Sequence, residues 1–236
     1  QEAMTVWKDY MVSMGFGYRL GVDLPGEKRG FIPNASTYDK AYRGSWNGLT
    51  IISISIGQGE VTATPLQIAN LGATIANRGY YYVPHVVRKI QDEQLDTLYT
   101  RPRHTMAVKA AYDDVVKGMR SAVLGGTCRA LAKYDFEVCG KTGTAQKIPR
   151  GNGNYLVSFI GYAPYDEPQV VCYVIVDEPN AAYQPTSSFA QKIWKEIMQK
   201  SLPYLNVYET EEPPADMIDE YNETHAEKAE EAEDTE

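Results

Sequence analysis

The sequence predicts an α+β fold in which an antiparallel sheet is flanked by helices. Three segments rich in β-branched and aromatic residues, at 137–148, 156–163 and 170–177, are predicted to be strands. Their connections at 149–154 and 164–169 are short and contain Gly, Pro, Asn and Asp, which favours hairpins over crossovers. Apolar residues at helical spacing occur before these strands and again after them. Helices, then an antiparallel meander, then a helix are typical of an α+β layered domain.

Four segments are predicted to be helices because apolar residues recur at three- and four-residue spacing. The predicted bounds and buried stripes are 3–14 with Val6, Tyr10 and Met14; 65–76 with Ile68, Leu71 and Ile75; 108–124 with Val108, Ala111, Val115, Met119 and Ala122; and 186–201 with Phe189, Ile193 and Ile197. Thr64 and Pro65 mark the start of the second of these helices, because threonine caps a helix and proline suits its first turn. Residues 18–50 are turn-rich and are predicted to form a long irregular connection. Residues 80–90, interrupted by Pro84, are predicted to form an edge strand.

The charge separates the chain into a body and a tail. The 236 residues carry a net charge of −8, but residues 209–236 hold 13 acidic residues and one basic residue, a net of −12. Subtracting −12 from −8 leaves +4 for residues 1–208, which is too weak and scattered to predict a nucleic-acid partner. The tail has too few apolar residues to offset its ordering entropy. We expect a folded body at 1–204 and a disordered acidic tail at 205–236.

The sequence predicts no metal or other cofactor. The three cysteines lack Cys-x-x-Cys spacing, and the three histidines lack a His-Glu-x-x-His pattern. These residues are Cys128, Cys139, Cys172, His85, His104 and His225. The longest apolar run, 170–176, is far too short to span a bilayer.

The stretch Gly140-Lys-Thr-Gly-Thr-Ala-Gln146 is the most informative part of the sequence. Gly-Lys-Thr also ends the phosphate-binding loop, but that loop needs a glycine five residues earlier, where Asp135 stands. The loop also continues into a helix, whereas Gly143 and Pro149 bracket a strand-like stretch. These two observations exclude a nucleotide-binding loop.

The triplet Lys141-Thr142-Gly143 resembles the Lys-Thr-Gly strand of the penicillin-recognising serine acyltransferases. A lysine ammonium and a threonine hydroxyl can hold a substrate carboxylate by charge-assisted hydrogen bonds. Glycine lets a substrate lie close against the strand, and the N–H group of Thr144 can point at a developing oxyanion. We predict that Lys141 to Ala145 form an edge strand paired with 156–163.

Further motifs resemble the class B penicillin-binding proteins, which are cell-wall D,D-transpeptidases. In chain order they are Gly21-Val-Asp-Leu-Pro-Gly-Glu27, Gly30 with Pro33, Ser55-Ile-Gly-Gln-Gly59, Thr64-Pro-Leu-Gln67, Ala76-Asn-Arg-Gly79, Pro84-His85 and Phe159-Ile-Gly-Tyr-Ala-Pro164. The resemblance runs from about residue 5 to about residue 200. Ser-Ile-Gly-Gln-Gly is closer to the elongation-type members, the penicillin-binding protein 2 group, than to the division type. Gln58 and Thr64 lie outside the catalytic motifs and are interpreted as structural supports.

The sequence departs from this family at the nucleophile. The family motif is Ser-x-x-Lys, and no serine of the chain has a lysine three residues later. Thr37-Tyr-Asp-Lys40 has the spacing but begins with the wrong residue. Ser45-Trp-Asn47 fits the family's Ser-x-Asn motif, which in the family precedes the helix predicted at 3–14. We therefore interpret Ser45-Trp46-Asn47 as a chance match, and Thr37-Tyr-Asp-Lys40 lies in a stretch predicted to be irregular.

This departure predicts an incomplete domain, the C-terminal part of a transpeptidase domain. We expect no catalytic residue within the chain itself. The nucleophilic serine and its activating lysine are predicted to lie upstream of Gln1.

The resemblance implies that the parent protein cross-links peptidoglycan by serine acyl transfer on stem peptides ending in D-Ala-D-Ala. It assigns substrate binding to Lys141, Thr142, Gly143 and Thr144, and makes the Thr144 N–H group half of an oxyanion hole. It also implies β-lactams as ligands, a membrane glycan polymerase as partner, and a membrane anchor on the periplasmic side of the bacterial cytoplasmic membrane. One alternative is a non-catalytic penicillin-sensor or interaction module of the same fold. Another is a carboxypeptidase or β-lactamase, which the matches at 21–27 and 57–59 disfavour.

Overall fold

The structure is a computed structural model that describes residues 2–134, 136–149 and 151–208. The helices are α1 Glu2–Ser13, α2 Ala35–Tyr42, α3 Gly48–Ser55, α4 Pro65–Ala76, α5 Thr97–Thr100, α6 Lys109–Leu124 and α7 Ser188–Tyr204, with a 3-10 turn at Arg129–Leu131. The strands are β1 Tyr80–Tyr81, β2 Arg103–His104, β3 Cys139–Gln146, β4 Tyr155–Ala163 and β5 Val170–Asp177. These helices and the antiparallel pairing of β3 with β4 confirm the predicted α+β class.

The chain divides into two compact units. Among the described residues, the first unit comprises those up to 117 with 171–173, and the second comprises those from 118 to 170 with 174–208. The predicted disordered tail at 205–236 lies mostly outside the described residues, which end at 208, and it stays a prediction.

The region 18–50 of the first unit is not irregular throughout, which corrects the prediction, because it contains α2 and the start of α3. Asn34 caps α2 by accepting a hydrogen bond from the Thr37 N–H group at 2.9 Å, and Asn47 caps α3 by accepting one from Leu49. Apolar residues of these helices pack with α1 in one cluster. Its buried members are Met4, Tyr38 and Ile54.

Helix α4 begins as predicted, but its buried residues are not the predicted ones. Thr64 and Gln67 form a reciprocal capping box, with Pro65 in the first turn. The predicted apolar stripe is only half-buried. The fully buried side chains of this helix are largely polar and include Gln67, Asn70 and Thr74.

The strand predicted at 80–90 is much shorter than expected. The paired strand is Tyr80–Tyr81, which pairs with Arg103–His104, and at the far end Ile90 forms only an isolated bridge with Glu93. Beyond Pro84, the N–H groups of Val86 and Val87 donate to the carboxylate of Asp23 at 3.0 and 2.9 Å. Because those donors are taken by a side chain, they are not available to a neighbouring strand.

A three-stranded sheet has the order β3-β4-β5, and β3 and β4 lie in the second unit. The ladder between β3 and β4 is continuous from the pair Cys139–Tyr162 to the pair Gln146–Tyr155. Helix α7 packs against β4, as predicted, through the buried ring of Trp194, which meets the ring of Phe159 edge-on at 5.2 Å.

The buried faces of α6 and α7 differ from the predicted stripes. In α7 the predicted Ile193 is 43% exposed and Ile197 is 40% exposed. The residues that are buried there instead are Ala190, Gln191, Trp194, Met198 and Leu202. In and next to α6, Val108 and Val115 are exposed and Ala111 is also exposed. Its buried stripe is Tyr112, Val116, Met119 and Val123.

No helix in the described ranges is both long and apolar enough to cross a membrane.

Candidate active site

The Lys-Thr-Gly segment lies on β3, at one end of the sheet order, as predicted. Lys141 pairs with Ile160, and Thr144 pairs with Val157, so the whole segment is hydrogen-bonded within 156–163. The side chains of Lys141 and Thr144 are exposed, and that of Thr142 is half-buried.

Two glycines allow the sheet to pack closely behind this segment. Gly140 and Gly161 are direct partners, and the Phe159 ring lies over both. A Cβ atom at Gly161 would lie 2.8 Å from a ring carbon of Phe159 and 3.0 Å from the Trp194 ring. Any side chain there would displace the ring that packs β4 against α7.

The polar groups of β3 that face away from β4 follow from the ladder. The N–H group of Lys147 donates to the Asn154 carbonyl at 2.9 Å, in the same register as the rest of the strand pair. Because N–H directions alternate along a strand, the N–H groups of Thr142 and Thr144 point to the opposite side. The candidate oxyanion donor of Thr144 is therefore directed away from β4, at the open edge.

The ammonium of Lys141 reaches the same edge. Side chains alternate between sheet faces, so Lys141 and Thr142 leave the strand on opposite faces. The Lys141 side chain nevertheless folds back, and its Nζ donates to the Thr142 carbonyl oxygen at 2.5 Å. This carbonyl also points away from β4, which brings the positive charge to the open edge.

Glycine at position 143 leaves room for a neighbouring hydroxyl. A Cβ atom at Gly143 would lie 2.5 Å from Ser158 Oγ on the paired strand. Ser158 is buried, and no lysine stands three residues after it. The glycine therefore allows close packing of β3 against Ser158, and its role towards a substrate stays a prediction.

Two hydroxyls meet beside this edge. Thr127 Oγ1 lies 3.2 Å from Thr142 Oγ1. Thr127 follows Gly125 and Gly126 after the end of α6, and the sequence has no motif that marks it. The only signal for this contact is the helix stop itself, which places a short turn there.

The thiol of the neighbouring Cys128 is held in its protonated form by burial. Cys128 is buried, and this burial raises the pKa of its thiol above the usual range. The Thr127 hydroxyl, the Lys141 ammonium and the Thr142 N–H group oppose that rise but do not cancel it. Cys139 is also buried, as expected for a small strand residue.

The two stretches that partly match catalytic motifs, at 37–40 and 45–47, have local structural roles. Thr37 belongs to the capping box of α2, and Asn47 caps α3. The hydroxyl of Ser55 donates to the Ile51 carbonyl within α3 at 2.7 Å. Thr64 is a helix cap, as its interpretation as a structural support implies, whereas Gln58 is exposed. In the described part of the chain, no group of three or more His, Cys, Asp or Glu residues could hold a metal ion.

The nucleophile predicted upstream of Gln1 stays a prediction. Gln1 itself lies outside the described residues, which begin at Glu2. The structure describes the strand edge at Lys141 to Thr144, to which such a serine would have to come close.

The comparisons with known proteins agree with this geometry. A family model described as the penicillin binding protein transpeptidase domain matches residues 3–199. The peptidoglycan D,D-transpeptidase MrdA of Acinetobacter baumannii is 36% identical over 182 residues, covering 70% of this chain and 27% of that protein.

Two crystal structures are similar over most of the chain. Penicillin-binding protein 2 of Pseudomonas aeruginosa, in complex with WCK 5153, has a TM-score of 0.74 and 28% identity, covering 89% of this chain and 45% of that one. Penicillin-binding protein 3 of Mycobacterium tuberculosis, complexed with aztreonam, has a TM-score of 0.69 and 25% identity, covering 87% of this chain and 47% of that one. The chain thus spans between 27% and 47% of the length of these proteins. The matches to MrdA and to penicillin-binding protein 2 confirm the predicted resemblance to the penicillin-binding protein 2 group. The chain belongs to the penicillin-binding protein transpeptidase family.

Proposed function

We propose that this chain provides the carboxylate-binding side of the active site of a serine-type D,D-transpeptidase that cross-links peptidoglycan stem peptides. The observation that carries this proposal is the edge of β3 opposite β4, towards which the Lys141 ammonium and the Thr144 N–H group are both directed. The name of the Acinetobacter baumannii relative, a peptidoglycan D,D-transpeptidase, supports the reaction class. The names of these relatives do not favour the alternative of a non-catalytic sensor.

Each residue of the segment has one task in this proposal. The Lys141 ammonium and the Thr142 hydroxyl bind the carboxylate of the terminal D-alanine. The backbone at Gly143 lets the substrate lie along the strand. The Thr144 N–H group donates to the carbonyl oxygen as negative charge develops on it.

The nucleophile of the proposed reaction is a serine upstream of Gln1, outside this sequence. Its hydroxyl oxygen attacks the carbonyl between the two D-alanines, forming an ester as the amide C–N bond breaks. The serine proton is transferred to the leaving nitrogen, and D-alanine departs. An amine of a second stem peptide then attacks the ester, which restores the serine and forms the cross-link.

The same site would bind β-lactams, whose carboxylate takes the place of the terminal D-alanine carboxylate. The aztreonam complex of the Mycobacterium tuberculosis relative supports this class of ligand. We further propose that the whole protein is anchored in the cytoplasmic membrane, faces the periplasm and acts with a membrane glycan polymerase.

Binding of a minimal substrate tests the carboxylate assignment. The isotope-labelled chain is titrated with N-acetyl-D-alanyl-D-alanine and, separately, with its C-terminal amide, while backbone amide signals are followed by NMR. One exposed ammonium contributes no more than about 1 kcal/mol, so we expect a Kd above about 1 mM for the acid. Shifts should centre on Thr142 and Thr144, and the amide should produce much smaller shifts.

Lys141→Ala should weaken acid binding, whereas Lys147→Ala should not. Lys147 is a suitable control because it lies just beyond the same strand but its ammonium is paired with Asp177 and Glu178. Equal binding of the acid and the amide, or equal loss in the two variants, would contradict the proposal.

Covalent labelling tests the assignment of the nucleophile to another part of the protein. We expect no labelling of this chain by a fluorescent penicillin, because no serine in it has the activating lysine. A covalent band that disappears on mutation of Ser45 or Ser55 would place the nucleophile inside this chain and overturn this part of the proposal.

A further inference from the structure

We infer that Thr127 is a positioning residue that directs the hydroxyl proton of Thr142 towards the substrate carboxylate. This inference rests on the proposed function, because it concerns how the carboxylate-binding threonine is oriented. Thr127 is not part of the Lys-Thr-Gly segment. Its Oγ1 lies 3.2 Å from Thr142 Oγ1 and 3.7 Å from Cys128 Sγ.

The direction of this hydrogen bond decides whether Thr142 can bind a carboxylate. Each hydroxyl has one proton to donate and two lone pairs that accept. If Thr142 donated to Thr127, no proton would remain for a carboxylate, which can only accept. If Thr127 donates to Thr142, the Thr142 proton is free for the carboxylate, and the two hydrogen bonds strengthen each other.

The backbone that carries Thr127 is held in place by the turn after α6, so its hydroxyl stays beside Thr142. Before it, a Cβ atom at Gly126 would lie 2.8 Å from Ala122 Cα, so the turn runs tightly against the end of α6. After it, the buried Cys128 donates its N–H group to the Ala122 carbonyl at 2.9 Å. The backbone on both sides of Thr127 is therefore fixed.

A buried glutamine of α7 fixes the Thr127 backbone from the other side. Gln191 is 5% exposed, and its Nε2 donates to the Thr127 carbonyl at 3.3 Å and to Ser187 Oγ at 3.0 Å. The Thr127 carbonyl can only accept, so the amide nitrogen and not the amide oxygen must face it. Both Nε2 protons are thereby used, and the carbonyl of Thr127 keeps one position while its hydroxyl faces Thr142.

The hydroxyl of Thr127, and not its volume, is the group that this inference requires. Thr127→Val removes the hydroxyl at nearly constant shape, and Thr127→Ser keeps it. Thr127 is exposed, so neither change disturbs the core. Thr100, an exposed threonine of the first unit, supplies a matched control as Thr100→Val.

The test is the NMR titration of the chain with N-acetyl-D-alanyl-D-alanine. We expect Thr127→Val to raise the Kd of the acid about 3- to 10-fold, the loss of one hydrogen bond. Thr127→Ser should stay within about 2-fold of the unaltered chain, as should Thr100→Val. The Thr142 methyl signal should shift on addition of the acid in the unaltered chain and in Thr127→Ser, but much less in Thr127→Val.

The outcomes separate this inference from the proposed function. If Lys141→Ala and Thr142→Val do not weaken acid binding, the proposed function fails, and the inference fails with it. If those two variants weaken binding but Thr127→Val does not, the proposed function stands and the inference is overturned. Equal weakening by Thr127→Val and Thr127→Ser would also overturn it, because the hydroxyl would then not be the group that matters.

Discussion

The two units stabilise their backbones by different means. In the first unit, single polar side chains satisfy groups of loop residues. Gln67 Nε2 donates to the carbonyls of Gly15, Tyr18 and Arg29 at distances between 3.0 and 3.2 Å. The carboxylate of Glu27 likewise accepts from three consecutive N–H groups, those of residues 20, 21 and 22.

In the second unit, a strand ladder satisfies the backbone and aromatic rings fill the space behind it. The Trp194 ring meets Phe159 at 5.2 Å and Tyr134 at 6.3 Å, and all three side chains are buried. The difference teaches that the loops of the first unit depend on particular hydrogen bonds in addition to its apolar clusters, whereas the β3–β4 region of the second unit depends on packed aromatic rings. The candidate site lies on the second kind of scaffold, which supports precise placement of the β3 edge.

The largest effect is expected from Trp194→Ala. The change removes the ring that packs α7 onto β4 and leaves a cavity, so we expect a loss of about 3 to 5 kcal/mol in the free energy of unfolding. Urea denaturation measures it. Ile193→Ala, at a neighbouring but 43% exposed position, should cost much less. Similar losses in the two variants would show that packing on β4 does not dominate this unit.

The second largest effect is expected from Gln67→Met in the first unit. Methionine has a similar shape but leaves the Thr64 N–H group and three loop carbonyls without their partner. We expect a loss of about 2 to 3 kcal/mol, since each unsatisfied buried group costs about 1 to 3 kcal/mol and water can reach some of them. Gln58→Met, at an exposed position, is the control. If both variants are as stable as the unaltered chain, the first unit does not depend on this hydrogen-bonding side chain.

The same difference explains which parts of the structure the sequence predicts. The β3–β4 hairpin is predicted well because regular strands, glycines and turn residues are local signals. The buried face of α4 is not predicted, because apolar periodicity selects Ile68, Leu71 and Ile75 and cannot detect that loop carbonyls require Gln67 on the buried side. The prediction of a strand at 80–90 is wrong for a related reason. The Asp23 carboxylate accepts from the N–H groups of Val86 and Val87 and lies more than 60 residues away in sequence.

The candidate site shows the same limit at smaller scale. Lys141, Thr142 and Thr144 are contiguous, and their strand is predicted from their own neighbours. Thr127 comes from the turn after α6, and Gln191 comes from α7. The glycines mark the turn, but nothing in the local sequence indicates that Thr127 contacts Thr142 or that Gln191 binds the Thr127 carbonyl. Contacts that depend on tertiary packing leave no periodic pattern in the sequence, so they are visible only in the three-dimensional structure.

A smaller and pH-dependent effect is expected from Glu60→Gln in the first unit. The hydroxyls of Tyr42 and Tyr38 donate to the Glu60 carboxylate and hold its pKa below the usual value of 4.5. A pKa that is lower in the folded state stabilises the fold above the unfolded pKa, and this gain is lost as the pH falls through the folded value. At pH 7 we expect a loss of about 1 kcal/mol, kept small by solvent screening.

The measurement is the melting temperature of both proteins between pH 3 and pH 7. The difference between them should be constant above about pH 5.5 and should shrink below pH 4.5. A difference that grows towards acid pH would have the wrong sign for this hydrogen-bonded carboxylate. Tyr42→Phe should reproduce part of the loss, because it removes one of the two donors.

The smallest effect on stability is expected from Lys147→Ala in the second unit. Lys147 Nζ lies 3.0 Å from Asp177 Oδ1 and 2.8 Å from Glu178 Oε1, and these partners, Glu178 first, raise the pKa of the ammonium. The group is nevertheless exposed to water, where ion pairs contribute little. Because the β3–β4 ladder already fixes this end of the sheet, we expect the melting temperature to fall by no more than about 2 °C, and by less in 0.5 M salt. A large, salt-sensitive fall would mean that charge pairs and not packing hold the β3 edge, and Lys147→Ala would then no longer serve as the neutral control for Lys141→Ala.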